Sequence, residues 1–239
     1  LALEKLGFIK TSLLDFPGQV SAVIFTPSCN LRCPYCHNPE LVSGSLPPDL
    51  IQKETVLQHL EKRKSILGGV CITGGEPLLH PDLPDLIESI HSLGLKVKVD
   101  TNGTRPDKLP LLKADYIAMD IKTDPQKYPL LLRATREETR NVEKSIKWII
   151  SSGIPHQFRT TVVSGIVGKE DIKVICELLK GAQELVLTQF RPGKLLDPSY
   201  NSKLPPTLEE LQDLKSLADK AGIPCRIRTS LGENKQGNL

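Results

Sequence analysis

Short runs of apolar, β-branched residues alternate along this chain with stretches of helical period, and nothing else in the sequence constrains its fold as strongly. Residues 20–25 form an apolar run of the kind that suits a strand covered on both faces. Helical spacing follows over residues 55–66, with Val56, Leu57 and Leu60 on one side. A second strand is expected from Gly68 (GGVCIT), then a helix over 83–94 closed by Gly94. Strands at 95–99 and 116–121 precede a helix over 141–151 that Gly153 stops. A strand at 158–163, a helix at 172–179 and a strand at 185–190 continue the series. Thr207 opens the last helix with Glu210 three residues on, a capping box. Gly222 ends that helix, and a short strand at 225–227 follows.

Six βα units in succession predict parallel strands joined by right-handed crossovers, in a doubly wound sheet or a TIM-like barrel. No G-x-G-x-x-G follows the first strand and no Walker motif is present, which removes the commonest reasons to choose a nucleotide-binding sheet. A chain of 239 residues, 39% hydrophobic and 25% charged, buries such a core without disulfide staples. One α/β domain is expected over residues 1–231, with its core at 18–190 and a C-terminal helix and strand at 207–228. The polar tail, 232–239, is expected to be disordered.

The 31 Lys and Arg residues exceed the 28 Asp and Glu by three, a small and dispersed excess that gives no footprint for nucleic acid. No apolar run approaches the roughly 18–20 residues of a membrane span. The opening has early charges and no apolar core before a small-residue cleavage site, so it does not read as a signal peptide. These features predict a cytoplasmic protein in a reducing compartment, without membrane or nucleic-acid partners. Cys71, Cys176 and Cys225 each sit in an apolar stretch and read as small buried hydrophobes. His59, His80, His91 and His156 read as surface or loop residues.

In either parallel architecture, chemistry gathers at the carboxyl ends of the strands. There the sequence places TPSCNLRCPYCHN, TGGEP, DTNG and MDIK in turn, with Arg159 on strand five and Gln189 on strand six. Cys29, Cys33 and Cys36 have C-x3-C-x2-C spacing, and such steps let a loop aim three sulfurs at one compact centre. Three thiolates suit zinc, copper(I) or an iron–sulfur cluster. His37 adjoins Cys36 too closely to complete the same zinc tetrahedron. An ordinary four-iron site takes four cysteines, so three would leave one iron open to a ligand. In TGGEP, Gly74 and Gly75 allow close backbone approach to a ligand, and Glu76 can pair with an ammonium.

The cysteine spacing with Tyr35 before the last cysteine, and TGGEP after the second strand, resemble the signature of the radical S-adenosylmethionine enzymes. The resemblance spans about residues 20–189 and implies a partial (β/α)6 barrel of TIM-like type. It also implies a [4Fe-4S] cluster on Cys29, Cys33 and Cys36 whose open iron is chelated by S-adenosylmethionine, with Gly74, Gly75 and Glu76 near the methionine amino group. LLDFPGQVSAVIFTPSCNLRCPYCHN, DTNG and MDIK are further similar to glycyl-radical-enzyme activases, most of all those of anaerobic ribonucleoside-triphosphate reductase. By that resemblance Tyr35, Asn102, Lys122, Arg159 and Gln189 join the S-adenosylmethionine site, and Asp100, Thr101 and Asp120 offer hard oxygen donors to a monovalent cation. It implies reductive cleavage of S-adenosylmethionine, a glycyl radical enzyme as protein substrate, and a flavodoxin- or ferredoxin-like electron donor. A pyruvate formate-lyase type activase and a radical enzyme acting on a small molecule are the related alternatives. A zinc-stabilised binding module is the alternative of another class.

Overall fold

The computed structural model describes residues 3–42, 49–229 and 232–233. Among them the chain forms one mixed sheet of ten strands, in the order β10-β9-β8-β7-β6-β5-β4-β2-β1-β3. The centre is parallel: β2 (Ser21–Thr26), β4 (Gly69–Gly74), β5 (Lys96–Thr101), β6 (Tyr116–Asp120), β7 (His156–Val162), β8 (Leu185–Gln189) and β9 (Cys225–Thr229) pair in that order. β1 (Lys5–Ser12) joins β2 antiparallel, and β3 (Ile51–Gln52) joins β1 antiparallel. The sheet keeps two free edges among the described residues, so it is the expected partial barrel rather than a closed one.

The crossovers carry α1 (Pro39–Val42), α2 (Lys53–Arg63), α3 (Leu83–Ser92), α4 (Tyr128–Leu132), α5 (Arg136–Ser151), α6 (Lys169–Leu178) and α7 (Leu208–Lys220). Positive φ at Gly94, Gly153 and Gly222 lets the chain turn away after α3, α5 and α7. Two helices begin with capping boxes, Thr135/Glu138 on α5 and Thr207/Glu210 on α7. α5 therefore starts five residues earlier than its apolar spacing predicts. The crossover from β5 to β6 holds only a 3-10 turn at Leu109–Leu111, so one of the six expected βα units lacks its α-helix.

Three further differences from the sequence reading have physical causes. β1 is missing from that reading because only Leu6 on it is buried, which leaves no apolar alternation to see. The polar tail begins with a short strand, β10 (Gly232–Glu233), paired antiparallel with β9; residues 234–239 lie outside the described residues. His80 and His156 are buried, not superficial: His80 Nε2 meets the Pro27 carbonyl at 2.8 Å, and His156 Nδ1 meets that of Ile154 at 2.8 Å.

One core runs through the molecule, with Val97, Val99, Ile117, Phe158, Leu185 and Leu187 of the sheet packed with Ile87, Ile90, Ile146, Ile149 and Ile175 of the helices. Full burial of each such side chain stabilises the fold by roughly 1.5–3 kcal/mol. Side chains alternate across a strand, so Lys98 and Asp100 share the face of β5 opposite Val97 and Val99.

Candidate active site

The loops after β2, β4, β5 and β6 meet around a cavity of about 250 Å³. Cys29, Cys33, Tyr35, Cys36, Gly74, Gly75, Asp100, Thr101, Asn102, Asp120 and Lys122 all line it. Eleven predicted site residues thus converge on one space, because parallel strands deliver their following loops to the same rim. Glu76, Arg159 and Gln189 do not line it.

The cysteine loop is held through its backbone. Ser28, directly before Cys29, sits in the left-handed region at φ 68°, an uncommon conformation for a residue with a Cβ. Arg32 reaches back so that Nη1 donates to the Cys29 carbonyl at 2.6 Å and the Leu31 carbonyl at 3.0 Å. Its own N–H donates to the Leu132 carbonyl at 2.9 Å, while Leu196 N–H donates to the Cys36 carbonyl at 3.0 Å and Asp197 N–H to that of Pro34 at 2.9 Å. Tyr35 is buried, and its hydroxyl donates to the Lys122 carbonyl at 3.2 Å.

Gly74 and Gly75 line the cavity and also pack against the cysteine loop. Their freedom serves the neighbouring loop as well as the cavity: a Cβ on Gly74 would meet Thr26 N at 2.4 Å, and one on Gly75 the Ser28 carbonyl oxygen at 1.8 Å. Gly75 N–H donates to Thr26 O and Glu76 N–H to Ser28 O, both at 2.8 Å. Glu76 is buried and turned from the cavity. It accepts from Asn102 N–H at 2.6 Å, the Thr101 hydroxyl at 2.8 Å and Leu78 N–H at 3.1 Å. Burial pushes its carboxyl up to about 7, against the opposing pull of those donors. In this structure its role is to tie the loop after β4 to the loop after β5. Asn102 faces the cavity; its Nδ2 donates to Asn30 Oδ1 at 3.0 Å and lies 3.9 Å from the Cys29 sulfur.

The opposite rim is a chain of charges. Lys98 donates to Asp100, Arg159 Nη1 donates to Asp100 at 2.9 Å, Arg159 Nε to Asp120 at 2.7 Å, and Lys122 Nζ to Asp120 at 2.8 Å. Register explains it: Asp120 is the Cα partner of Arg159 across β6 and β7. Burial acts to raise the two carboxyls, but Arg159 and the lysines prevail and hold both below the usual carboxylate range. Burial likewise opposes the charge on Lys122, yet Asp120 beside it keeps the ammonium well above its ordinary value. The oxygens expected to surround a monovalent cation are therefore already committed to lysine and arginine nitrogens, and the Thr101 hydroxyl is committed to Glu76. Lys98 was not singled out from the sequence. It is 1% exposed, and its Nζ also donates to the Cys71 sulfur at 3.4 Å. A lysine between two valines on a strand carries no mark of this in the sequence. Gln189 turns away, Nε2 donating to the Pro206 carbonyl at 2.8 Å. His37, set aside in the sequence, lines the cavity with its ring 6.5 Å from that of Phe190.

The donor set fits a multi-iron centre. Cys29, Cys33 and Cys36 line one cavity, and three thiolates are the soft donors an iron–sulfur cluster takes. Burial first, then the Glu76 carboxylate, pushes the Cys29 thiol up to about 11, and burial pushes that of Cys33 to about 12. Thiolates in so apolar a setting form when a metal supplies the compensating charge.

The sequence model of the Radical SAM superfamily matches residues 23–179. A Methanocaldococcus jannaschii protein, provisionally named a glycyl-radical enzyme activating enzyme, is 30% identical over 95% of this chain and 96% of its own. The pyruvate formate-lyase-activating enzyme of Clostridium pasteurianum is 28% identical over 85% of each chain. A solved domain of a pyruvate-formate lyase-activating enzyme from Bacteroides vulgatus shares the fold at TM-score 0.56 and 20% identity, over 67% of this chain and 98% of that one. No helix among the described residues is long and apolar enough to cross a membrane. Three cysteines opening with the GGEP, DTN and DIK loops onto one cavity agree with the matched span, and the chain belongs to the Radical SAM superfamily of enzymes.

Proposed function

We propose that the chain activates a glycyl radical enzyme, and that its protein substrate is an anaerobic ribonucleoside-triphosphate reductase. Membership of the superfamily implies a [4Fe-4S] cluster and S-adenosylmethionine. When bound, the cluster supplies the electron that cleaves the sulfonium, so that a hydrogen atom can be taken from a glycine Cα of the partner. Cys29, Cys33 and Cys36 would hold it, and Asn102, Lys122 and the Gly74–Gly75 backbone, which line the same cavity, would receive the nucleotide's polar groups. Asp120 holds the Lys122 ammonium in place, and Arg159 holds Asp120. Tyr35 shields the cysteine loop from water and fixes the Lys122 backbone.

The observation that carries this reading is the single cavity joining the three sulfurs to Asn102 and Lys122. Relatives named for glycyl-radical-enzyme and pyruvate formate-lyase activation, aligned along most of the chain, support the activase type. The ribonucleotide reductase partner rests on the sequence around LLDFPGQVSAVIFTPSCNLRCPYCHN. The test is anaerobic reconstitution with iron and sulfide, reduction, and incubation with S-adenosylmethionine and an anaerobic ribonucleotide reductase. A doublet radical resonance on the partner is expected. Cleavage of S-adenosylmethionine without that doublet, but with it on pyruvate formate-lyase, reassigns the partner. Cleavage with neither favours a small-molecule substrate.

A further inference from the structure

On the outer side of the cysteine loop, away from the nucleotide cavity, lies a second and larger hollow of about 540 Å³. Its wall is built from the contacts that secure the loop. Arg32, which grips the Cys29 carbonyl, lines it, and so do Leu196 and Asp197, whose N–H groups hold the Cys36 and Pro34 carbonyls. Leu130 stands at its edge 87% exposed. Beside it Arg133 is exposed in the left-handed region at φ 54°, with no ion-pair partner among the described residues. Lys203 adds a third positive charge, its Nζ 5.1 Å from the centre of the Tyr200 ring that lines the groove. Asp197 is the one acidic side chain lining this groove, and its carboxylate faces the Ser199 N–H.

We propose that this groove is the docking surface for an acidic one-electron carrier protein, an inference that rests on the function proposed above. That function needs one external electron per turnover, and nucleotide and protein substrate would occupy the cavity side of the loop. The outer side offers the remaining short route, through a wall hydrogen-bonded to the cysteine residues' own carbonyls. An apolar patch beside Arg32, Arg133 and Lys203, which meet carbonyls or solvent but form no ion pair among the described residues, suits a small partner with an acidic rim around its redox centre. In the step itself the reduced carrier loses one electron and the iron–sulfur centre gains it. No bond forms or breaks and no proton moves.

The test uses holoenzyme carrying Leu130→Glu or Arg133→Glu, two exposed positions outside the cavity, with an acidic flavodoxin as the probe. Calorimetry measures binding of the oxidised flavodoxin; S-adenosylmethionine cleavage is driven by reduced flavodoxin or by dithionite. Each variant is expected to weaken binding and flavodoxin-driven cleavage by about tenfold, with the dithionite-driven rate unchanged. Unchanged flavodoxin binding and flavodoxin-driven cleavage overturn the proposal. A matching loss with dithionite also overturns it, because the residues then serve the fold or the cavity. Normal flavodoxin-driven cleavage with reduced radical transfer assigns the groove to the protein substrate and overturns it too. If wild-type protein fails to cleave with dithionite, the proposed function itself fails, whatever calorimetry finds.

Discussion

The two walls of the cavity are made by opposite means. The cysteine wall is fixed by main-chain hydrogen bonds from Arg32, Leu196 and Asp197 and by glycine contacts too close for any Cβ. The facing wall is fixed by side-chain charge, through Lys98, Asp100, Arg159, Asp120 and Lys122. A wall built mostly from backbone presents its sulfurs with one further side chain, Arg32, holding its carbonyls. A wall built from ion pairs presents a charged group, Lys122, at the cost of keeping every partner in place. The first wall should fail at its ligands and at its glycines, and the second at any member of the chain.

Cys33→Ala should have the largest effect, abolishing both iron incorporation and S-adenosylmethionine cleavage. Iron and sulfide content with product analysis measures this, and retained cleavage would refute the ligand assignment. Arg159→Met should come next. It strips Asp100 and Asp120 of their shared guanidinium but leaves each one lysine, so the loss should fall below the about 3–5 kcal/mol of unpairing a buried charge outright. Denaturant unfolding reads that loss; if the variant matches wild type, the charged wall is not a mutually dependent unit.

Glu76 bridges the two walls, and its effect depends on pH. Its folded pKa, about 7, lies above the ordinary 4.5, so between those values the folded chain binds more protons than the unfolded one. Stability from this group is full below pH 4.5 and is lost as pH rises through about 7, amounting to at most ~3 kcal/mol. Glu76→Gln should remove that slope, seen as urea midpoints that differ less between about pH 5 and about pH 8. Gly75→Ala should have the smallest effect on stability, about 1–3 kcal/mol, as the loop shifts to relieve the 1.8 Å approach to Ser28. The same shift should weaken S-adenosylmethionine binding by calorimetry while iron content stays near normal.

Much of the parallel core was legible because β2, β4 and β8 are largely apolar runs and the longer helices show a 3.6-residue pattern. The cysteines were legible because their spacing has few other uses. What the sequence hid depends on who stands across the sheet. Asp120 and Arg159 are 39 positions apart, and only β6–β7 register makes them a pair. The resemblance implies that Lys122 and Arg159 are nucleotide ligands; their ion pairs come from strand neighbours that a single sequence does not display. Glu76 was read as facing an ammonium, whereas Thr101 and Asn102, delivered by the next strand, capture it first. Gln189 stands at the rim by its strand position, but the contact that turns it aside comes from Pro206, 17 positions on and just before α7. His80 and His156 looked superficial because the carbonyls that meet their rings, that of Pro27 in the cysteine loop and that of Ile154 just before β7, are set by the fold and not by residue type.

One long-range contact bears on how such a molecule is made. Arg228 Nη2 on β9 donates to the Leu14 carbonyl, 214 positions earlier, in the segment between β1 and β2. During synthesis from the amino end, that carbonyl waits for 214 further positions before its mate emerges. Fastening the first hairpin to the last parallel strand is therefore a late, post-assembly event, and contacts of such high separation slow folding.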